Sequence, residues 1–581
     1  MNFDVLAGAL QELEQESSRL KMTQLLSTLF IQSQSTEAGI IANLCTGQLQ
    51  PSYKMVIFGL AEKNMIKVVA RVLGCGDNDV TERLKKAGDL GLVVAAGTWQ
   101  VSKKLSLEVV YEQLNDIAQL SGTGSQEAKI DALAQLLQRV EPLSAKFVVR
   151  IVLNTLRLGF SDMTIIDALS WMLAGDKSLS ESIEDAFNVC ADIGLIALIA
   201  KRDGIAGIKA MKVVVGIPIR PAAAERLPSA QAIMEKLGPC VAEPKLDGFR
   251  LQVHISFAHG RQTIAFFSRN LTDMSAMYPD LVKALAPLAV KNVIFEGEAI
   301  AFDRNTGAFM KFQETVRRKR KHDVEAAAEQ MPLQLFLFDI LYLDDKSLMG
   351  LPLEKRRAEL EMLIKKSHVD HEIVRVGAQV AIKDAKHLEE YFLAQVSAGL
   401  EGVVVKRTDA IYQPGKRNFN WIKLKRLEAG HLLDTIDCVV LGYYAGQGKR
   451  ASFGIGAILV GVYHEKLDAF QTLAKIGTGI SDDGWRKLKH TCDALKVDHK
   501  PKNVECHKDL YPDVWVAPSL VIEVKADEIT QSPLHSAAQT AHTLGLALRF
   551  PRFVRYRDDK DAAEITTAHE VRELYEQQKN N

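Results

Sequence analysis

The sequence lacks the features that mark secreted, membrane-spanning and zinc-binding proteins. Its seven cysteines occur singly, with no C-x-x-C pair and no Cys/His spacing suited to a metal ion. This distribution argues against a disulfide framework or a zinc site and indicates a reducing compartment. No uncharged apolar run approaches about 18 residues, and no basic segment precedes an apolar run at the N-terminus. We therefore expect a cytoplasmic protein of an archaeal or bacterial cell, with no signal peptide and no transmembrane segment.

An excess of charge of either sign is also absent. Lys plus Arg and Asp plus Glu each number 72, so the net charge alone does not indicate a nucleic-acid partner. Any site for a polyanion must therefore arise from local clusters of charge. The hydrophobic content of 47% and the charged content of 25% are ordinary for a globular protein. A chain of 581 residues is too long for one core, so several domains are expected.

The hydrophobic pattern changes twice along the chain and predicts three domains. Residues 1–205 place apolar residues at three- and four-residue spacing, which is typical of amphipathic helices. Residues 206–426 mix strand-like runs with helical pieces, and residues 427–581 contain short apolar runs separated by glycine-rich turns. We expect an all-α N-terminal domain, a central α+β domain and a C-terminal β-barrel. Within the first, a helix is predicted from Ser161 or Asp162 to near Gly175.

The stretch CVAEPKLDGFRLQVHI, residues 240–255, sets several charges around Asp247 and Gly248. An Asp-Gly pair between two alternating runs predicts a tight hairpin. In that hairpin Lys245 would lie opposite Arg250, and facing like charges destabilise a strand pair unless an anion lies between them. A lysine near another cation also loses its proton more easily, as a lysine nucleophile requires. The alternative is that these charges only face water.

Other predicted strands also carry charged residues at or near their ends. Glu296 and Glu298 share one strand face, and Glu401 and Lys406 begin and end another apolar run. Each of these alone is explained by strand ends that face water. Together they supply carboxylates for Mg²⁺ and cations for phosphate, which is what phosphoryl transfer requires. The remaining members of the set are Arg269, Trp421, Lys423 and Lys425.

The order of these stretches resembles the motif series of the covalent nucleotidyltransferases. The series begins with KLDGFR at 245–250 and ends with LRFPRFVRYRDDK at 548–560. Between them lie SRN, FEGEAIAFD, FLFDILYL, EGVVVK and WIKLK. Over nearly its whole length, including LRLGFSDMTIIDAL in the helical part, the chain is similar to ATP-dependent DNA ligases of the archaeal and eukaryotic replicative type. The three regions would then be a DNA-binding domain, an adenylation (nucleotidyltransferase) domain and an OB-fold.

The resemblance implies an enzyme that seals 3′-hydroxyl/5′-phosphate nicks in duplex DNA during replication, repair and recombination. Lys245 would attack the α-phosphorus of ATP, release pyrophosphate and become a lysyl-AMP intermediate. AMP would then pass to the 5′-phosphate of the nick, and the 3′-hydroxyl would displace it. ATP is the favoured nucleotide, with ADP and NAD left open, and Mg²⁺ is the implied metal.

The same resemblance implies roles for individual residues of the central domain. Glu243 and Phe338 would contact the adenine, Arg250 and Glu298 the ribose, and Arg269 a phosphate. The residues expected at the α-phosphate and the nick phosphate are Arg417, Lys423 and Lys425. The residues expected at the metal are Glu298 and Glu401, with Glu296 as a third candidate.

Three further residues, Lys406, Arg557 and Lys560, reach the expected site only if the chain adopts a particular arrangement. Strict alternation along EGVVVK puts Glu401 and Lys406 on opposite strand faces, so Lys406 reaches the site only if the strand bends or ends. By resemblance, Arg557 and Lys560 would grip the β- and γ-phosphates of ATP from the C-terminal barrel. They can do so only if the barrel closes on the nucleotide.

Basic residues outside the motif series are candidate DNA contacts. RRKRKH at 317–322 is the densest basic cluster, and adjacent cations repel unless a polyanion is near, although a solvated loop is the alternative. We expect contacts to the DNA backbone, because a sealing enzyme must act at any base sequence. The predicted phosphate contacts are Lys146, Arg150, Arg157, Arg317, Arg318, Lys319 and Arg320. The expected partner is nicked duplex DNA bound by a monomer, and a sliding clamp is a further partner that the resemblance allows.

The chain departs from the family pattern in two respects. The chain reads RPAAAERL where the family usually has Pro-Met-Leu-Ala. EPKLDG also resembles the NAD-dependent ligases, but those carry four zinc cysteines and lack the last motif.

Three alternative functions are a capping-type guanylyltransferase, an RNA ligase and a non-catalytic DNA-binding repair scaffold. The long helical domain argues against the first two, and the retention of Lys245 and the carboxylates argues against the third.

Overall fold

The computed structural model describes residues 1–156, 158–303, 308–310, 315, 318, 324–398, 400–425, 435–446, 448–540 and 542–580. These residues form two compact units, which are described separately. The first unit comprises Met1–Asn64 and Trp99–Arg426, and the second comprises Met65–Thr98 and Leu427–Asn581. The segment 65–98 therefore groups with the C-terminal region, which the boundaries predicted after residues 205 and 426 do not anticipate. The three-domain division stays a prediction.

The N-terminal region is helical, as its apolar spacing predicts. Its helices are α1 (Phe3–Gln15), α2 (Arg19–Gln32), α3 (Ser35–Cys45), α4 (Glu62–Leu73), α5 (Asp77–Ala87), α6 (Leu90–Ala95), α7 (Leu107–Gln119), α8 (Ser125–Gln138), α9 (Pro142–Val152), α10 (Asp162–Ala174), α11 (Ser180–Val189) and α12 (Ile193–Ala210). Helix α10 lies between Ser161 and Gly175, as predicted. Gly175 has a φ of +78°, a left-handed conformation that glycine adopts at little cost at a helix end.

The central part of the first unit contains two sheets flanked by helices. Its strands are β1 (Ala223–Arg226), β2 (Cys240–Pro244), β3 (Phe249–Ala258), β4 (Arg261–Ser268), β5 (Asn292–Ala301), β6 (Leu333–Leu343), β7 (Lys346–Ser347), β8 (Val374–Val376), β9 (Val380–Ile382), β10 (Gly402–Arg407) and β11 (Arg417–Lys425). Its helices are α13 (Ala230–Leu237), α14 (Pro279–Leu285), α15 (Val324–Gln330), α16 (Leu353–Lys366) and α17 (Ala385–Ser397). One sheet has the order β1-β11-β10-β2-β9, and the other has the order β4-β3-β5-β6-β7 with β8 beside β6.

The predicted hairpin around Asp247 is wrong, because β2 and β3 belong to different sheets. Strand β2 pairs with β10 and β9, whereas β3 pairs with β4 and β5. Residues 245–248 cross from one sheet to the other, and the Lys245 amide still donates to the Gly402 carbonyl at 2.9 Å. Gly248 passes so close to β5 that a Cβ there would lie 2.3 Å from the Ala299 oxygen. The turn rule fails here because the partners of β2 are distant in sequence and β3 belongs to the other sheet.

Apolar clusters hold these layers together. Val253, Phe295 and Leu337 of one sheet pack with Leu281 of α14 and Leu360 of α16. Val403, Val405 and Ile422 of the other sheet pack with Ile233 of α13 and Leu388 of α17. A further cluster joins Ile294 and Leu341 to Tyr412 and Trp421, and therefore connects the two sheets. Burial of these side chains fixes the strand ends that carry the charged residues.

The second unit is rich in strands beyond residue 435, as predicted for the C-terminal domain. Its strands are β12 (Ile436–Tyr444), β13 (Ala457–His464), β14 (Ala469–Ile476), β15 (Lys496–Val497), β16 (Val504–Glu505), β17 (Val514–Val516), β18 (Val521–Lys525), β19 (Glu528–Ser532), β20 (Gly545–Arg549) and β21 (Arg552–Tyr556). Helices α18 (Asp482–Ala494) and α19 (Ala568–Asn580) accompany them. The main sheet runs β15-β17-β12-β13-β14-β16, and β18 joins β12 to β21. Trp485 and Val571 contribute helix side chains to its core.

None of the helices within the described residues combines the length and apolarity needed to cross a bilayer.

Candidate active site

A cavity of about 760 Å³ in the first unit is lined by residues of both sheets. Its size lies within the range of small-molecule sites. Lys245 and Asp247 of the crossing segment face it, together with Arg269 from the loop after β4. The other predicted site residues that line it are Glu243, Arg250, Glu298, Phe338, Lys406, Lys423 and Lys425. The structure therefore gathers most of the predicted set around one chamber.

Lys245 shares a carboxylate with a second lysine. Its ammonium contacts Glu401 Oε2, while Lys425 Nζ lies 2.9 Å from Glu401 Oε1. Burial lowers the pKa of Lys245 to about 8, and the charges of Lys425 and Lys423 act in the same direction. An ordinary lysine with a pKa near 10.4 is only about 0.4% neutral at pH 8, whereas an amine with a pKa of 8 is about half neutral. The site therefore contains a lysine that can act as a nucleophile near neutral pH.

Lys406 lines the cavity, whereas Glu401 does not line it and meets it only through its contact with Lys245. Strand β10 begins at Gly402, which has a φ of +141°, and Glu401 precedes the strand. The tight fit at Gly402 adds to this, since a Cβ there would lie 2.2 Å from the Leu424 oxygen. The sequence required the strand to bend or end if Glu401 and Lys406 were to approach the same site. The irregular start of β10 meets this requirement.

Glu298 is a half-buried carboxylate with a raised proton affinity. Burial raises its pKa to about 7, while Lys245, Arg250 and a hydrogen bond from the Gly248 amide act in the opposite direction. A carboxylate that holds its proton to this pH gains a counter-charge when a cation binds. Glu298 and Glu401 are oxygen ligands of the kind that Mg²⁺ uses. In the part of the chain that the structure describes, no three His, Cys, Asp or Glu residues form a metal cluster, so water molecules and phosphate oxygens would supply the other ligands.

Glu296 is engaged elsewhere, although it was a third candidate for the metal. Both of its oxygens accept hydrogen bonds from Arg250 Nη2, at 3.0 and 2.9 Å. Arg250 Nη1 also donates to the Ala222 carbonyl at 2.8 Å. Facing positions on β3 and β5 bring Arg250 beside Glu298 as well. Glu296 therefore fixes Arg250 at the cavity wall.

Glu243 and Lys406 form a buried ion pair at the aromatic side of the cavity. Lys406 Nζ lies 2.7 Å from Glu243 Oε2, and Gln379 Nε2 donates to Glu243 Oε1 at 3.1 Å. The Lys406 ammonium is 4.5 Å from the ring centre of Phe338 and 4.4 Å from that of Trp421. Such cation–π contacts hold the rings and the charge in one arrangement. Phe338 is thus an oriented aromatic wall of the chamber.

Cations surround Lys423 at the end of the first sheet. Burial lowers the pKa of Lys423, and the charges of Lys425, Arg417, Arg269 and Arg226 lower it further. Repulsion of this kind is relieved when a phosphate binds among the cations. Arg417 belongs to this group although it does not line the cavity.

Arg226 is a member of the group that the sequence did not indicate. It is the register partner of Lys423 in the parallel pairing of β1 with β11. It lies in RPAAAERL, which was noted only as a departure from the family pattern. No local pattern points to Arg226, because the parallel pairing joins segments almost 200 residues apart.

Arg557 and Lys560 lie in the second unit within a compact group of charges. Arg557 Nη1 donates to both oxygens of Asp437 at 2.8 and 2.9 Å, and its Nε and Nη2 donate to Asp559 at 2.9 and 2.8 Å. Lys560 Nζ donates to Asp437 Oδ2 at 2.7 Å. We call Asp437, Arg557, Asp559 and Lys560 the C-terminal ion-pair cluster. The carboxylate of Asp559 and, to a smaller extent, that of Asp437 raise the pKa of Arg557.

Three of the predicted DNA contacts are buried in ion pairs. Lys146 Nζ lies 2.5 Å and Arg150 Nη1 lies 2.7 Å from the carboxylate of Glu14 on α1. Arg318 Nη2 donates to Asp280 at 2.6 Å, and its side chain is fully buried. These positions hold helices and loops together instead of presenting charge to DNA. The remaining predictions of this kind, Arg157, Arg317, Lys319 and Arg320, lie outside the described residues.

Family models match the chain in three consecutive regions. The model described as DNA ligase N terminus matches residues 2–170. The model described as ATP dependent DNA ligase domain matches residues 221–425, which include the cavity residues. The model described as ATP dependent DNA ligase C terminal region matches residues 451–560, which include Arg557 and Lys560.

Two similar proteins match along their full length. A protein named probable DNA ligase from Dictyoglomus thermophilum is 43% identical over 581 residues, covering 100% of this chain and 98% of its own. A DNA ligase from Saccharolobus solfataricus is 38% identical over 598 residues, again covering 100% and 98%. The solved structure named Pmar-Lig_PreS3 covers 95% of this chain and 99% of its own at a TM-score of 0.54. Its sequence identity is 18%, so this likeness concerns the fold alone.

Proposed function

We propose a residue-level mechanism from the premise that this chain belongs to the ATP-dependent DNA ligase family. Members of this family use ATP and act on nicked DNA, and this chain is a ligase. Of the hypotheses raised by the sequence, family membership favours the ligase over a guanylyltransferase, an RNA ligase or a scaffold. The finer proposal concerns which residues perform each step, and in which order.

The first step joins Lys245 to adenylate. The lone pair of the neutral Lys245 amine attacks the α-phosphorus of ATP in line with the bond to the leaving pyrophosphate. A P–N bond forms, the P–O bond breaks, pyrophosphate leaves with the bonding electrons, and the amine loses a proton to solvent. Its lowered pKa supports this role, because the neutral form must be populated. Phosphoryl transfer depends on positioning and charge neutralisation more than on a general base.

Cations around the cavity would bind the phosphates. Arg269, Lys423 and Lys425 line the chamber and would bind the α-phosphate, and later the 5′-phosphate of the nick. Arg417 would extend this group towards the DNA. Arg557 and Lys560 would bind the β- and γ-phosphates during the first step only, which requires the second unit to close on the nucleotide.

The base and the sugar would occupy the aromatic side of the cavity. Phe338 would stack on the adenine, and Glu243, held by Lys406, would accept from its amino group. Arg250 and Glu298 would contact the ribose. Glu298 and Glu401 would hold Mg²⁺, which supplies charge neutralisation at the phosphates when it is bound.

The later steps transfer AMP to DNA and seal the strand. A 5′-phosphate oxygen of the nick attacks the adenylate phosphorus, the P–N bond to Lys245 breaks, and the amine is regenerated. The 3′-hydroxyl oxygen then attacks the phosphorus of the 5′-phosphate and loses its proton to solvent, the P–O bond to AMP breaks, and AMP leaves with the bonding electrons. We propose that residues 1–205 bind the duplex, residues 206–426 carry the chemistry, and residues 427–581 form an OB-fold that contributes to both. We further propose a monomer that uses ATP in preference to ADP or NAD.

The observation that carries this proposal is the position of Lys245, which faces the cavity beside Glu401 and Lys425. The test is incubation with α-labelled ATP and Mg²⁺. We expect an acid-labile, alkali-resistant AMP adduct on Lys245 that nicked DNA discharges, and no adduct with Lys245→Ala. Lys291→Ala, which removes an exposed lysine paired with Asp345, is the matched control and should label normally. An adduct that persists in Lys245→Ala would refute the assignment, and GTP, ADP and NAD in the same assay define the nucleotide.

A further inference from the structure

Asp437 contacts both cations of the C-terminal ion-pair cluster. Its two oxygens accept from Arg557 at 2.8 and 2.9 Å, and its Oδ2 also accepts from Lys560 at 2.7 Å. None of the motifs in the sequence includes it, because it stands in the apolar run of β12. It therefore needs its own explanation.

The position of Asp437 is fixed by its backbone and by burial. Its side chain is 10% exposed, near the start of β12. Its amide donates to Thr566 Oγ1 at 3.0 Å, and its carbonyl accepts from the Thr566 amide at 3.2 Å. A buried carboxylate is stable only when cations or hydrogen bonds compensate it, and here two cations do so. Asp437 thus offers a rigid anchor for two flexible side chains.

The two cations depend on this anchor to different degrees. Arg557 is also held from its other edge by Asp559. The Lys560 ammonium is ion-paired with Asp437, and its side chain is 33% exposed. Removal of the Asp437 carboxylate should therefore leave Arg557 partly oriented and release Lys560.

We propose that Asp437 is a positioning residue for lysine adenylylation, holding Arg557 and Lys560 side by side so that both engage the pyrophosphate portion of ATP. The inference rests on the proposed function of those two cations. Long cationic side chains lose rotamer freedom when they bind a phosphate, and an anchor that orders them beforehand reduces this cost. Asp437 acts through Arg557 and Lys560 and need not touch the nucleotide.

The test separates the adenylylation step from sealing. Asp437→Asn in the full-length protein should lower kcat/KM for ATP in adenylylation about 10- to 100-fold, chiefly through KM. Sealing of a pre-adenylylated nick should stay within about twofold, because that step involves no pyrophosphate. Asp437→Glu keeps the charge and should recover part of the loss. Asp493→Asn, which takes a carboxylate from Lys489 in the same unit, is the matched control.

A double variant tests whether Asp437 acts through Lys560. In a Lys560→Met background, Asp437→Asn should add much less to the loss than it does alone. Unchanged or faster adenylylation by Asp437→Asn would overturn the proposal and indicate that the carboxylate only competes with phosphate. If Asp437→Asn does not fold, Asp437→Glu decides: equal losses in both steps would mean a structural role and overturn it.

Arg557→Ala distinguishes this inference from the function on which it rests. If Arg557→Ala leaves adenylylation intact, the proposed role of the two cations fails. If it abolishes adenylylation while Asp437→Asn leaves KM for ATP unchanged, only the role of Asp437 fails.

Discussion

The cavity around Lys245 and the C-terminal ion-pair cluster give their cations opposite surroundings. In the cavity, burial and neighbouring cations lower the pKa of Lys245 and of Lys423. In the cluster, two carboxylates surround Arg557 and raise its pKa. The surroundings of Lys245 and Lys423 favour loss of the ammonium proton, whereas those of Arg557 keep the guanidinium charged.

This difference matches two chemical tasks. A lysine nucleophile must shed its proton to expose a lone pair, so crowding by cations and loss of solvent are useful there. A group that grips phosphate must stay charged and oriented, so a carboxylate frame is useful. Cationic side chains with different tasks therefore require contrasting surroundings in the two units.

Lys245→Arg gives the largest expected effect and tests the first half of the comparison. The positive charge is kept, but arginine has a pKa above 12, so its neutral fraction falls by about 10⁴-fold or more relative to a group with a pKa of 8. Adenylylation, measured as labelled AMP on the protein in a single turnover, should fall at least as much. Sealing of a pre-adenylylated nick should persist.

Arg557→Lys is the corresponding change in the cluster. It also keeps the charge, but loses only the planar fork that spans Asp437 and Asp559, so adenylylation should fall about 10-fold. Equal losses in Lys245→Arg and Arg557→Lys would contradict the distinction between a charge that is shed and a charge that is kept.

The pH dependence of adenylylation gives the next largest effect. Because the pKa of Lys245 is lowered to about 8, the single-turnover rate should rise about tenfold per pH unit below pH 8 and level off above it. Lys425→Met removes a charge that lowers this pKa and leaves Glu401 to Lys245 alone, so the midpoint should move to higher pH.

The control for this profile is sealing of a pre-adenylylated nick, which does not need a neutral Lys245 and should lack this midpoint. A midpoint that stays in place or moves to lower pH in Lys425→Met would mean that Lys425 does not set the proton affinity of Lys245.

The sequence predicts residues that lie in short motifs, but not the strand pairings that bring distant segments together. Lys245, Glu401 and Lys425 could be predicted because each lies in a short motif that neighbouring residues define. The predicted hairpin was wrong because β2 pairs with β9 and β10, both more than 130 residues further along the chain, whereas β3 pairs within the other sheet. Arg226 was missed for the same reason, since only the fold sets it beside Lys423.

Burial was the second quantity that the sequence did not predict. Lys146 and Arg150 have the spacing of one helix face, but that face packs on α1 and pairs with Glu14. Asp437 looked like a residue of a β-strand, and its two cationic partners are more than 100 residues away. Charge patterns along a sequence thus indicate charged sites, whereas the pairing of each charge requires the fold.

Glu298→Gln gives the smallest effect and sharpens the comparison through stability. The pKa of Glu298 is raised to about 7 in the folded state from about 4.5 in the unfolded chain, so between these pH values the folded state holds a proton that the unfolded state has lost. Stability therefore falls as pH rises through this window, and the full cost is present above pH 7. Gln resembles the protonated form and avoids this cost, so the variant should be about 1–3 kcal/mol more stable at pH 8 and nearly equal to the parent at pH 4.5.

The measurement is urea unfolding at both pH values with chelator present and nucleotide absent, and Glu235→Gln on α13, an exposed position, is the matched control. The lost attraction of Glu298 to Lys245 and Arg250 is already contained in the shift, since both lower the pKa that burial raises. A variant that is less stable than the parent at pH 8 would mean that these cations outweigh burial. The cavity would then resemble the cluster, with each charge compensated in the free enzyme, and the contrast between the two regions would be lost.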